Sequence, residues 1–105
     1  MNRGQYLKLA EQTICHDRQD VHGAPEDTHA LIADYWSVYL SGDADKPVMI
    51  DAADVAVMMT LFKIARMQVN PAHQDNIVDG IGYLAIAGEI IDRVQHGSDE
   101  LLNDK

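Results

Sequence analysis

The run Val55-Ala-Val-Met-Met-Thr-Leu-Phe-Lys-Ile-Ala-Arg-Met67 constrains this chain more than any other feature. It is apolar nearly all round and too long for a buried strand, so it reads as a helix. A helix of that kind packs on several sides at once and sits at the centre of its domain. Asp51, just before it, is a good N-cap, so the spacing predicts a third helix from about Ala52 to Val69.

The rest of the chain reads as helices around that centre. Gly4 to Gln19 carries Tyr6, Leu7, Leu9, Ala10 and Ile14 at helical spacing, and Gly23 suits a left-handed exit. Pro25 can open a second helix to about Leu40, with Glu26 and Asp27 in the first turn, where the helix dipole favours negative charge. Leu31, Ile32, Tyr35, Trp36 and Tyr39 follow at three-and-four spacing and are expected to face the core. Ser41 to Pro47 is a loop with acidic turn chemistry. After a turn at Asn70-Pro71, a fourth helix is expected from about Asp75 to Gln95, closed by Gly97. The expected architecture is a single all-α domain over residues 1–97, a four-helix bundle-like fold with the third helix central. Helices three and four form an antiparallel hairpin, and a polar tail over 98–105 is expected to fray.

Composition removes several functions. Eight Lys and Arg stand against 17 Asp and Glu, a net charge of −9, so direct binding to a nucleic acid is disfavoured. The lone Cys15 can form no internal disulfide and is expected to be an inert core residue. No apolar stretch is long enough to cross a membrane and the N-terminus lacks an apolar signal core, so the expected location is the cytoplasm.

Charges in greasy surroundings carry the candidate chemistry. Successive helical residues are about 100° apart, which gathers Thr60, Lys63, Arg66 and Asn70 on one side of the third helix. Asp54 falls opposite, beside Met58, Leu61 and Ala65. A carboxylate there needs a partner, a metal or a proton, unless it is a solvated first-turn acid. Lys63 and Arg66 share a face and suit a phosphate. The alternative is structural: with the turn at Pro71, residues whose numbers add to about 142 stand level in the hairpin. Lys63 then faces Asp79, and Arg66 faces Asn76 and Asp75. Asp75 and Asp79 lie four apart on one helix face, where two carboxylates repel unless a cation intervenes, and Mg²⁺ suits oxygen ligands at that spacing. Gly80, Gly82 and Gly88 each cost the fourth helix about 1 kcal/mol relative to Ala and point to close helix packing or a ligand against the backbone. His73, in the turn, can reach a phosphate or stay in solvent. His16-Asp17, or His16 with Asp20 and His22, reads as a chance grouping.

Together, Trp36, Tyr39-Leu40, the segment Asp54 to Arg66, Asn70-Pro-Ala-His-Gln-Asp-Asn-Ile-Val-Asp79 and Gly82-Tyr83 resemble a family of small helical proteins carried by phages and prophages, over about residues 14 to 92. More distantly, the layout is similar to MazG-like nucleotide pyrophosphohydrolases, which bind Mg²⁺ through acidic motifs on neighbouring helices. Their ExxD position falls on Asn76-Ile-Val-Asp79, where Asp79 matches and Asn76 departs, with Asp75 beside it. Their ExxE position has no counterpart in the second helix, whose nearest acids are Glu26 and Asp27.

That resemblance implies a nucleotide site. Mg²⁺ would be held by Asp75 and Asp79 with Asp54 or Glu26. Lys63 and Arg66 would neutralise developing charge, and His73, Asn76 and Tyr83 would contact the nucleotide. The competing expectation is a non-catalytic acidic accessory protein that occupies a basic groove on a host nuclease or polymerase. A third expectation is structural, a homo-oligomer (a helical homodimer or tetramer serving as a scaffold), because the third helix has more apolar surface than a small monomer can cover.

Overall fold

The computed structural model describes residues 1–17 and 25–103, with side chains described for 1–15 and 27–95. Helix α1 spans Arg3–Gln12 and runs on as a π-helical turn, Thr13–Asp17. Helix α2 spans Pro25–Ser41, α3 Ala52–Val69 and α4 Gln74–Asn103. The described residues contain no strand. The all-α expectation therefore holds, and α3 and α4 share the most extensive contact in the molecule.

Local chemistry sets these elements. At the start of α3, the Asp51 carboxylate accepts from the Asp54 N–H at 2.8 Å and the Asp54 carboxylate accepts from the Asp51 N–H at 3.1 Å. This reciprocal cap satisfies two helix-end donors. At the far end the Asn70 N–H donates to the Arg66 carbonyl at 2.9 Å, and the His73 N–H to the Asn70 carbonyl at 3.2 Å. Those two bonds fold the chain straight back into α4. Gly42, at φ +50°, ends α2 in a left-handed conformation suited to glycine. The loop behind it is then laid back along α2 by two serines. Ser41 Oγ accepts from the Val48 N–H at 2.9 Å, and Ser37 Oγ accepts from the Ile50 N–H at 2.9 Å.

The core is thin. Val55 and Ala56 of α3 are fully buried, with Val78, Ile86 and Ala87 of α4, Ala33 of α2 and Ala10 of α1 around them. Ile14, Tyr83 and Ile90 pack onto the cluster of Ala56, Ile86 and Ala87. The core-facing aromatic stripe expected on α2 is corrected. Leu31, Tyr35 and Tyr39 are exposed, Ile32 and Trp36 are half-buried, and α2 turns His29 and Ala33 inward. Spacing identified residues that share a face but not which face finds a neighbour. Cys15 is exposed rather than buried. Gly97 does not end α4, which continues to Asn103. One glycine costs about 1 kcal/mol, too little to break a helix already propagating. The expected exit at Gly23, with His22 and Asp20, lies outside the described residues. No helix among the described residues is long and apolar enough to cross a membrane.

The three helical glycines separate. A Cβ at Gly82 would stand 2.7 Å from Ile14 Cγ2, so the π-helical turn after α1 approaches α4 there as closely as a glycine permits. At Gly80 the nearest atom would be Lys63 Cβ at 3.8 Å, an ordinary contact, and at Gly88 there is open space. Gly82→Ala is expected to destabilise the fold by about 1–3 kcal/mol, because Ile14 is branched at Cβ and cannot swing aside cheaply. Gly80→Ala is expected to be neutral or stabilising. Thermal unfolding of the two variants side by side checks this; equal melting temperatures would contradict the close approach at Gly82.

Candidate functional site

The hairpin brings Lys63 and Asp79 together as its register requires. Lys63 Nζ lies 2.9 Å from Asp79 Oδ2, with the two side chains only 14% and 18% exposed. The predicted pair exists, and each charge is answered by the other. Lys63 Nζ also stands 5.8 Å from the Phe62 ring centroid.

Below this pair, where the hairpin turns, Phe62, Ala65, Arg66 and Val69 of α3, Asn70 and His73 of the turn and Asn76 of α4 line an open cleft of about 470 Å³. Three residues singled out in the sequence, Arg66, His73 and Asn76, therefore meet at one place. Arg66 Cζ sits 5.7 Å from the Phe62 centroid, a cation–π contact that holds the guanidinium over the cleft. Among the described residues Arg66 has no ion-pair partner. Asn76 is buried, and its N–H donates to the His73 carbonyl at 3.2 Å. His73 Nε2 lies 3.8 Å from Asp75 Oδ2, and both side chains are largely exposed. The cleft thus offers an apolar, partly aromatic wall, one guanidinium, one imidazole and carboxamide groups. That combination suits a flat ring carrying an anionic group.

The remaining candidates go elsewhere. Asp54 is taken up in the cap of α3 and is exposed, so it is a solvated first-turn acid and not a carboxylate on the apolar face. Asp75 stands in solvent at the edge of the cleft, whereas Asp79 is held by Lys63. Among the described residues no three His, Cys, Asp or Glu side chains lie close enough to share a metal ion. The Glu26 side chain lies outside the described residues. Tyr83 belongs to the interior: its ring stacks near that of His29, centroids 6.0 Å apart and planes at 27°. Buried His29 has no signal in the sequence, since its neighbours Thr28 and Ala30 give no apolar contrast. Phe62 was missed as well. The spacing of Phe62 and Arg66, four apart on one helix face, is the signal that could have found it.

A family described as a domain of unknown function, DUF6378, matches residues 5–91. The chain is also similar to the Gene 55 protein of Mycobacterium phage L5, with 37% identity over 94 residues; the match takes in 90% of this chain and 54% of the relative, so the chain spans about half that protein's length. No solved structure matches.

The salt bridge can be weighed by a double-mutant cycle. Lys63→Met leaves the mostly buried Asp79 carboxylate without its partner and is expected to cost about 1–3 kcal/mol in urea unfolding. Adding Asp79→Leu is expected to return most of that loss, because the orphaned charge is gone. Two single losses that simply add would show that the two side chains do not act on each other.

Proposed function

The chain belongs to the DUF6378 family, with a phage protein among its relatives, and on that premise we propose that it binds a nucleotide, or a like phosphorylated ring compound, without hydrolysing it. The observation that carries this reading is the meeting of Arg66, His73 and Asn76 with Phe62 in one cleft at the hairpin turn. A base or sugar ring lies against Phe62 and Val69, and the phosphate takes Arg66, with the His73 imidazole N–H as a second donor. Mg²⁺ enters as the companion of the phosphates, with Asp75 as the carboxylate nearest to it; Mg²⁺ characteristically binds through one or two carboxylates plus phosphate oxygens.

Hydrolysis of the MazG-like kind asks for more than this. It needs carboxylates converging on a metal that activates water, and a free cation beside the transferred group. Here Lys63 is neutralised by Asp79, Asp54 caps a helix, and Asp75 lies beside His73 with no second carboxylate. The overall helical layout supports kinship of design with the nucleotide enzymes, and the charge arrangement supports binding in place of turnover.

A second reading has its own observation. The outward side of α2 combines the exposed acids Asp27 and Asp34 with exposed Leu31, Tyr35 and Val38. An acidic and aromatic face of that kind suits a basic groove on a host nuclease or polymerase inside the infected cell.

A nucleotide panel with Mg²⁺ separates these readings. At least one nucleotide is expected to raise the wild-type melting temperature, and Arg66→Ala to weaken its binding about tenfold or more, the loss of a charge-assisted contact. No phosphate or pyrophosphate is released. A panel without any thermal shift would remove the nucleotide, and release of pyrophosphate would remove the non-hydrolytic claim. A salt-sensitive complex with a purified host polymerase, lost in Tyr35→Ala, is what the second reading expects.

A further inference from the structure

One face of the α3–α4 hairpin is covered and the other is bare. On α4, Gly82 meets Ile14 of the π-helical turn, Tyr83 meets His29 of α2, and Ile86 sits in the core. At about 100° per residue, Leu84, Gly88 and Ile91 fall on roughly the opposite side of that helix. They are exposed, Leu84 by 56% and Ile91 by 43%. On α3 the matching outward residues are Val57, Leu61 and Ile64, exposed by 40%, 58% and 44%. Placing the two antiparallel wheels side by side puts both rows on the same flank of the hairpin.

The two rows have the same spacing, four then three residues, which is the seam of helices that pack at a shallow angle. Gly88 sits in the middle of the α4 row. Nothing within 4 Å would meet a Cβ there, so the protomer itself gives no reason for a glycine in that helix.

Charge is sparse on this flank. Asp, Glu, Lys and Arg make up 24% of the chain, yet none falls between the two rows. Asp54, seven residues before Leu61, continues the α3 row at the start of that helix, and Asp92 stands at the margin of the α4 row. For a chain of net charge −9, this flank lets two copies approach with few like charges facing each other.

The chain as a whole exposes more surface than its mass accounts for. A folded monomer of 11.6 kDa is expected to expose about 5,800 Å², and this chain exposes 7716 Å². Its radius of gyration is 16.1 Å, against about 13 Å for a compact chain of its length. A stable dimer buries about 800 Å² on each partner, less than half of the surplus.

We propose that the bare flank of the hairpin, centred on Leu61 and Leu84, is the seat of a second copy of this chain. The two hairpins pair about a two-fold axis into a four-helix bundle, with each α3 set against the other copy's α4 and Gly88 at the close crossing. The pairing is self-complementary: each copy offers the same two apolar rows. It leaves the cleft at Arg66 on a different side of α3, so it stands independently of the nucleotide reading.

Sedimentation equilibrium of the full chain at micromolar concentration tests this. The wild type is expected at twice 11.6 kDa, with a melting temperature that rises with protein concentration. Leu61→Glu and Leu84→Glu, each at a position exposed in the protomer, are expected to shift the protein to monomer, and Tyr35→Glu on α2 to leave the dimer intact. A wild type that is monomeric and melts independently of concentration would overturn the proposal. So would a dimer that survives both glutamates, or one that is lost in Tyr35→Glu alone. Should both glutamate variants fail to fold, the concentration dependence of wild-type melting still decides.

Discussion

The antiparallel return of α4 along α3 is the constraint on which the rest depends. Two backbone hydrogen bonds at Asn70 and His73 close the turn, and the turn fixes the register. Register then places Lys63 opposite Asp79, in a setting where neither charge could stand alone. It also places Arg66 across from Asn76, which opens the cleft. One short connection therefore sets both the structural ion pair and the candidate site. The pair and the cleft are adjacent but opposite in character, one closed upon itself and the other presenting a cation to solvent.

Much of this was legible because it is local. Asp51 and the apolar run behind it gave α3 its limits, and Pro71 gave the hairpin its register, since a short turn leaves two long helices only one way to lie together. The levels of Lys63 with Asp79 and of Arg66 with Asn76 follow from that register alone. The close approach at Gly82 was legible as a glycine inside a helix, although the partner, Ile14, was not.

What the sequence hid depends on which surfaces meet. Leu31, Tyr35 and Tyr39 have the spacing of a core stripe, but α2 turns His29 and Ala33 inward because its neighbours lie on that side. Asp54 looked like a carboxylate on an apolar face, and its role is a reciprocal cap with Asp51, three residues away. Cys15 reads as a core residue by its apolar neighbours and is exposed, in the π-helical turn that follows α1. Among the described residues few large side chains are buried, and the bare flank of the hairpin is where the proposed second copy would add packing.

The central claim is that the Lys63–Asp79 pair holds the hairpin together while the cleft at Arg66 does the binding. Chemical-shift mapping of the ¹⁵N-labelled protein during titration with the nucleotide that stabilises it most tests that division directly. The account predicts shifts concentrated at Arg66, Asn70, His73 and Asn76, with Lys63 and Asp79 nearly unmoved. Shifts centred on Lys63 and Asp79, with the cleft residues silent, would contradict it.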